Sequence, residues 1–228
     1  MVSKNQVGLR KPKTRVLLVD DHPILRRGLA QLINQEADMA VCGEAEDAPK
    51  AFEAFSTLQP DVAVVDISLK GGNGIELIKN VKARFPDLPI LVLSMHDESL
   101  YAERALRAGS LGYIMKEEAI EQVLVAIRRV LLGEIFLSDK MKTKMLQQLA
   151  SGKAKAFMSP IENLTDRELE VFRLIGEGRS TRQIAAELHL SVRTVEAYRE
   201  YIKGKLNLKN ATELVQHAFH WVHHEAAA

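Results

Sequence analysis

The sequence predicts two folds in tandem: an α/β five-stranded parallel sheet, doubly wound, over residues 14–132, and a small all-α four-helix domain over residues 161–225, joined by a linker at 133–160. Three observations predict this. Short apolar runs recur at Val16–Val19, Ala40–Cys42, Val62–Ile67, Ile90–Leu93 and Gly112–Met115, the pattern of parallel strands covered on both faces. Helix-period stretches separate them, and such an alternation folds as a parallel sheet with right-handed crossovers. Beyond Pro160 the strand pattern stops and only helical periodicity remains.

The helices of the first unit are predicted at Pro23–Asn34, Ala48–Leu58, Gly74–Phe85, Ser99–Ala108 and Ala119–Leu132. Punctuation supports the boundaries: Pro60 precedes a strand, Gly72-Asn73-Gly74 opens a helix and Ala108-Gly109 closes one. In the linker, Ser138–Leu149 reads as a connecting helix with Met141, Met145 and Leu149 on one face, whereas Ser151–Ala156 is small and charged. Thr165 with Glu168 three residues on forms a capping box, and Leu169, Phe172 and Ile175 follow at helical spacing as far as Gly176. Three further helices are expected at Thr181–Leu188, from Ser191 to Leu206, and at Ala211–Trp221.

Composition bounds the function. The chain has 228 residues, 46% hydrophobic and 27% charged, with a formal net charge of +1, values of an ordinary globular protein. No apolar run is long enough to span a membrane, and Met1–Lys13 is polar and basic with no apolar core of a secretory signal. The single cysteine, Cys42, lies in an apolar strand and reads as a packing residue, so a reducing, cytoplasmic compartment is expected. Near-neutral charge means that a nucleic-acid role must rest on where the charges lie rather than on bulk basicity.

Three carboxylates stand at the carboxyl ends of two strands: Asp20 and Asp21 after the first, Asp66 after the third. Ligands of open α/β sheets sit in the crevice at that edge. Acids gathered there repel one another unless a hard cation such as Mg²⁺ neutralises them. Ser94 ends the fourth strand and Lys116 follows the fifth, adding a hydroxyl and an ammonium. His22 and His96 lie close by, but Mg²⁺ prefers oxygen, so both are read as loop or packing residues.

This constellation of Asp20-Asp21, Asp66, Ser94, Tyr113 and Lys116 resembles the receiver domain of bacterial two-component response regulators over residues 14–132. The resemblance implies a flavodoxin-like fold that is not an enzyme but takes a phosphoryl group on Asp66 from a sensor histidine kinase. It further implies Mg²⁺ held by Asp21, Asp66 and the carbonyl of Ser68, with Asp20 acting through the water shell, and a switch made of Ser94, Tyr113 and Lys116. One departure is Lys70, where the family usually has proline; it bears on loop stiffness rather than on the chemistry. Two other readings are weighed. Haloacid-dehalogenase-type phosphatases also use a strand-end aspartate, but need a second aspartate two residues on, where this chain has Ser68. A receiver that only dimerises would not need the full set of acids and Lys116.

Residues 181–195 read as helix–turn–helix, with Ala185 allowing close helix approach and Ser191 capping the second helix. Together with the capping box upstream, this resembles the four-helix DNA-binding domain of the LuxR/NarL/FixJ group, which implies a transcription regulator that binds double-stranded DNA, as a homodimer on activation. On the recognition helix Val195, Ile202 and Leu206 are expected to point inward. Thr181, Arg182, Ser191, Arg193, Thr194, Arg199, Lys203 and Lys205 suit phosphate contacts. Glu196, Ala197 and Glu200 are expected to face the bases, where glutamate can accept from cytosine N4 and alanine can touch a thymine methyl. In the last helix Ala211, Leu214, Val215, Ala218 and Phe219 form a stripe suited to core packing or a two-fold partner, with Ala211 and Ala218 expected on its outer side.

Overall fold

The computed structural model describes residues 12–69, 72–150 and 160–225. The first unit runs β1 (Thr14–Val19), α1 (Pro23–Gln35), β2 (Met39–Ala45), α2 (Ala48–Leu58), β3 (Val62–Asp66), β4 (Ser68–Leu69), β5 (Gly72–Asn73), α3 (Gly74–Arg84), β6 (Ile90–Ser94), α4 (Glu98–Ala108), β7 (Gly112–Met115) and α5 (Ala119–Leu131). The five long strands form one parallel sheet in the order β2-β1-β3-β6-β7. Alternate residues of each strand feed opposite faces, as the two-residue period of a pleated strand requires. Val16, Leu18, Val62 and Val64 pack with α1 and α5, whereas Leu17, Val19, Ala63 and Val65 pack with α2, α3 and α4.

Register places the chemistry. Val19 pairs with Val65, so Asp20 and Asp66 leave the sheet side by side; Asp66 pairs with Leu93 and Ser94 with Met115, which sets Lys116 one step beyond. The β4–β5 hairpin, antiparallel through Ser68 and Asn73, was not anticipated, and Ile67 lies outside β3. Lys70, the family departure, lies outside the described residues, as do Ser151–Ala156 of the linker.

The chain continues through α6 (Asp139–Ala150), α7 (Asp166–Gly176), α8 (Thr181–Glu187), α9 (Val192–Lys205) and α10 (Ala211–Glu225). The capping box at α7 is formed in both directions, Thr165 Oγ1 accepting from Glu168 N and Glu168 Oε2 from Thr165 N at 2.7 Å. Leu169, Phe172, Ile175, Val195, Ile202 and Leu206 are all buried, as their spacing predicted. Ala218 corrects one expectation: it is fully buried, not on the outer side of α10. The reason is the close approach of α7 and α10 at Gly176, where a Cβ would strike the Ala218 carbonyl and Val222. Leu214 shares the core with Ala218, leaving Val215 and Phe219 about half exposed.

The two units touch. Asp166, at the start of α7, pairs with Arg104 of α4 at 2.9 Å and with Lys79 of α3 at 2.8 Å. Arg104 also donates to the Leu164 carbonyl at 2.8 Å. Among the described residues, no helix is long and apolar enough to cross a membrane.

Candidate functional site

The strand ends collect Asp20, Asp21, Asp66, Ser94 and Lys116 at one edge of the sheet, as the sequence predicted. Asp66 is 1% exposed, held from behind by Gly74, whose missing Cβ allows α3 to start against the Asp66 carbonyl. Lys116 Nζ reaches Asp66 Oδ2 at 2.7 Å and Asp20 Oδ2 at 2.8 Å. Asp66 Oδ1 accepts from Ser68 N at 3.0 Å. Burial is the dominant influence on Asp66 and raises its pKa to about 6, against the opposing pull of Lys116. On Lys116 burial acts to lower the pKa, but the two carboxylates outweigh it and the ammonium is raised above its ordinary value.

The acids are under-neutralised. Asp20 Oδ2 and Asp21 Oδ1 are shielded from solvent without a well-directed hydrogen bond, although Lys116 and His22 lie near them. One lysine faces three carboxylates, and ligand atoms of Asp20, Asp21, His22 and Asp66 all lie within 4.8 Å of one another. An oxygen-rich, anionic cluster with orphaned acceptors fits a hard divalent cation.

His22, a loop or packing residue by its sequence, lies against the acids: its Nδ1 is 2.7 Å from Asp21 Oδ1 and 3.2 Å from Asp20 Oδ1. Ligand hardness spoke against a metal role but said nothing of where the ring would rest; adjacency to Asp20-Asp21 was the available signal. His96, expected as a loop or packing residue, sits in the β6–α4 loop with its ring stacked on Tyr101, centroids 4.6 Å apart. It also lies on the site, with Nε2 at 2.8 Å from Ser68 Oγ. Burial, with Arg173 and Lys116 nearby, lowers its pKa to about 3, so the imidazole is neutral. The His96 amide donates to Ser94 Oγ at 3.1 Å, and Tyr113 Oη donates to the His96 carbonyl at 2.7 Å. Burial pushes the Tyr113 phenol well above its ordinary pKa, keeping it a neutral donor.

In the C-terminal unit Ser180 caps α8 and Ser191 caps α9, each side chain accepting from the backbone three residues on. Ser191 Oγ also meets Thr194 Oγ1 at 2.7 Å. Arg182, Arg193, Glu196, Ala197 and Glu200 stand in solvent, and Thr181 and Thr194 are partly exposed. Arg199 is half-buried. Lys203 pairs with Glu200 at 2.9 Å. Lys205, expected at a DNA phosphate, has its ammonium 2.6 Å from Glu168, which ties the end of α9 to the start of α7. Burial works to raise Glu168, but the Lys205 and Thr165 hydrogen bonds prevail and hold it below its ordinary value.

Comparison with known proteins agrees with both halves. Residues 16–128 match the family described as "Response regulator receiver domain", and residues 162–218 match "Bacterial regulatory proteins, luxR family". The chain is 36% identical over 208 residues to the oxygen regulatory protein NreC of Staphylococcus carnosus, covering 90% of this chain and 96% of that protein. Among solved structures, RcsB of Salmonella enterica serovar Typhimurium bound to promoter P1flhDC with the phosphomimetic BeF₃⁻ has TM-score 0.63 at 28% identity, covering 91% of this chain and 98% of that one. A LuxR-family two-component response regulator from an Aurantimonas species has TM-score 0.57 at 32% identity, covering 61% of this chain and 99% of its own. A receiver fold with its strand-end acids and lysine, followed by a helix–turn–helix unit and matched along nine-tenths of its length, places this chain in the LuxR family of two-component response regulators, transcription regulators that bind DNA.

Proposed function

We propose that Asp66 accepts a phosphoryl group from a phosphohistidine of a sensor histidine kinase and that the resulting acyl phosphate alters DNA binding by a homodimer. The observation that carries this is the Lys116 ammonium on Asp66 Oδ2 at 2.7 Å within a cluster of buried acids. Asp66 Oδ attacks phosphorus, the P–N bond to the donor breaks, and its electron pair stays on the leaving imidazole. Residues 14–132 then act as the receiver, 133–160 as the linker and 161–225 as the DNA-binding domain.

Asp21 and Asp66, with the Ser68 carbonyl, would hold Mg²⁺, and Asp20 would act through its water shell. When bound, the ion supplies positive charge for the phosphoryl oxygens. Lys116 balances a further oxygen, Ser94 donates to another, and Tyr113 follows the loop that Ser94 draws in. Ser68 offers a hydroxyl already shared with His96, not the second carboxylate that a phosphatase of the alternative class requires. Arg182, Arg193, Thr181 and Thr194 suit phosphate contacts, and Glu196, Ala197 and Glu200 suit base contacts from their exposure on α8 and α9. RcsB solved on promoter DNA with a phosphomimetic supports the same pairing of events. A cytoplasmic setting agrees with one unpaired cysteine and a DNA partner.

The deciding experiment measures label transfer from a small phosphodonor. The parent takes up label at Asp66 in the presence of Mg²⁺, and Asp66→Asn takes up none. Equal uptake by both would overturn the reading.

A further inference from the structure

Helix α10 holds four of the chain's seven histidines, His217, His220, His223 and His224, and short histidine-rich tracts are a recurrent metal-binding composition. The inward side of the helix is taken by Leu214 and Ala218, both fully buried, and by Trp221, whose ring lies 5.4 Å from that of Phe172. His217 and His220 stand outside that core, and both are exposed. Residues three apart on a helix fall within about 60° of one another, with Cβ atoms about 5–6 Å apart. Two imidazoles at that separation can converge on one ion.

Each of the two rings is flanked by an aromatic neighbour. His217 lies 6.1 Å from Phe172, tilted, and His220 meets the edge of Phe219 at 6.3 Å. Glu213, one turn before His217, is committed to the helix start: Oε2 accepts from Lys209 N at 2.8 Å and Oε1 from Asn210 Nδ2 at 3.2 Å. His223 faces elsewhere, stacked on Phe219 at 4.0 Å with Nδ1 2.9 Å from the Phe219 carbonyl. The donor chemistry of the flank at His217 and His220 is therefore imidazole rather than carboxylate.

We propose that His217 and His220 form a binding site for a divalent transition ion such as Zn²⁺, with water completing its coordination. Imidazole suits Zn²⁺, Ni²⁺ and Cu²⁺, whereas Mg²⁺ takes oxygen ligands. The site is thus chemically distinct from the strand-end acids of the receiver, and it does not depend on phosphorylation of Asp66. An ion held by both rings needs the helix to be formed, so it stabilises the C-terminal unit on binding.

Trp221, the chain's single tryptophan, adjoins His220 in sequence and follows His217 by one turn, so a quenching ion in the site is directly observable. The full-length chain is titrated at pH 7.5 with Cu²⁺, followed by Trp221 emission, and with Zn²⁺, followed by calorimetry and melting. The parent is expected to lose most of its Trp221 emission with Cu²⁺ and to gain melting temperature in its C-terminal unit with Zn²⁺. His217→Gln and His220→Gln, each checked for folding by its metal-free melting curve, are expected to need at least tenfold more of either ion. His223→Gln and Asp21→Asn are expected to respond as the parent does. Quenching at parental concentrations in His217→Gln or His220→Gln overturns the assigned pair, and so does a parent whose emission does not respond. Loss of quenching in His223→Gln, or in Asp21→Asn, would put the ion on other ligands and equally overturns it.

Discussion

The Lys116 ammonium lies 2.7 Å from Asp66 Oδ2, and the same nitrogen lies 2.8 Å from Asp20 Oδ2. One cation thus bridges the ends of β1 and β3. Removing one partner of such a buried pair costs about 3–5 kcal/mol because the other charge is left uncompensated. Lys116→Met is therefore expected to destabilise the chain strongly at pH 7.5 and much less at pH 5, where the abandoned carboxylates protonate. Urea denaturation at both pH values reads the difference; a loss independent of pH would contradict the pairing.

Asp66, raised by burial to about 6 against an ordinary value of 3.8, gives the pH dependence its sign. Between those values the folded chain holds a proton that the unfolded chain releases. Stability from this group is therefore complete below pH 3.8 and is lost as pH rises through about 6, an amount of the order of 3 kcal/mol. A hard cation at these acids needs the ionised form, so the stabilising effect of added Mg²⁺ is expected to be large at pH 7.5 and small at pH 5. Melting temperatures with and without Mg²⁺ test this, with Asp66→Asn as the control that shows little of either trend.

Gly176 admits α10 at the Ala218 carbonyl, and that obstacle is backbone, which cannot swing aside. Overpacking of this kind costs typically 1–3 kcal/mol. Gly176→Ala should lower the melting temperature of the C-terminal unit while leaving Mg²⁺ binding to the receiver intact. Calorimetry of the whole chain distinguishes this from a general loss of folding.

Glu196 stands exposed near the start of α9, and a carboxylate there can accept from cytosine N4. Glu196→Ala is expected to relax discrimination at one C·G pair by about 1–3 kcal/mol, with little change at other positions. Binding to a panel of single-base variants measures it. Unchanged discrimination at every pair would show that this side chain does not read bases.

The long strands and helices were legible because each carries several residues of a clear period. Core positions such as Leu169, Phe172 and Ile175 followed from spacing alone. The β4–β5 hairpin was not legible, since two paired residues per strand leave no pattern. Ala218 was misplaced because a helix stripe wider than its contact does not say which edge faces inward; the glycine opposite it does. The ends of the strands disclosed the acids, Ser94 and Lys116, but not the reach of His22 or the several bonds of His96, which depend on loop paths. The pairing of Asp166 with Arg104 and Lys79 was equally hidden, because charges on helix faces usually meet only water.

If α9 reads DNA as proposed, the exposure of Glu196, Ala197 and Glu200 beside a docked receiver lets an unstimulated copy meet a duplex through those side chains. On that reading control falls on how long an encounter lasts rather than on whether it begins, and the dissociation phase of a binding trace is where it is expected to show.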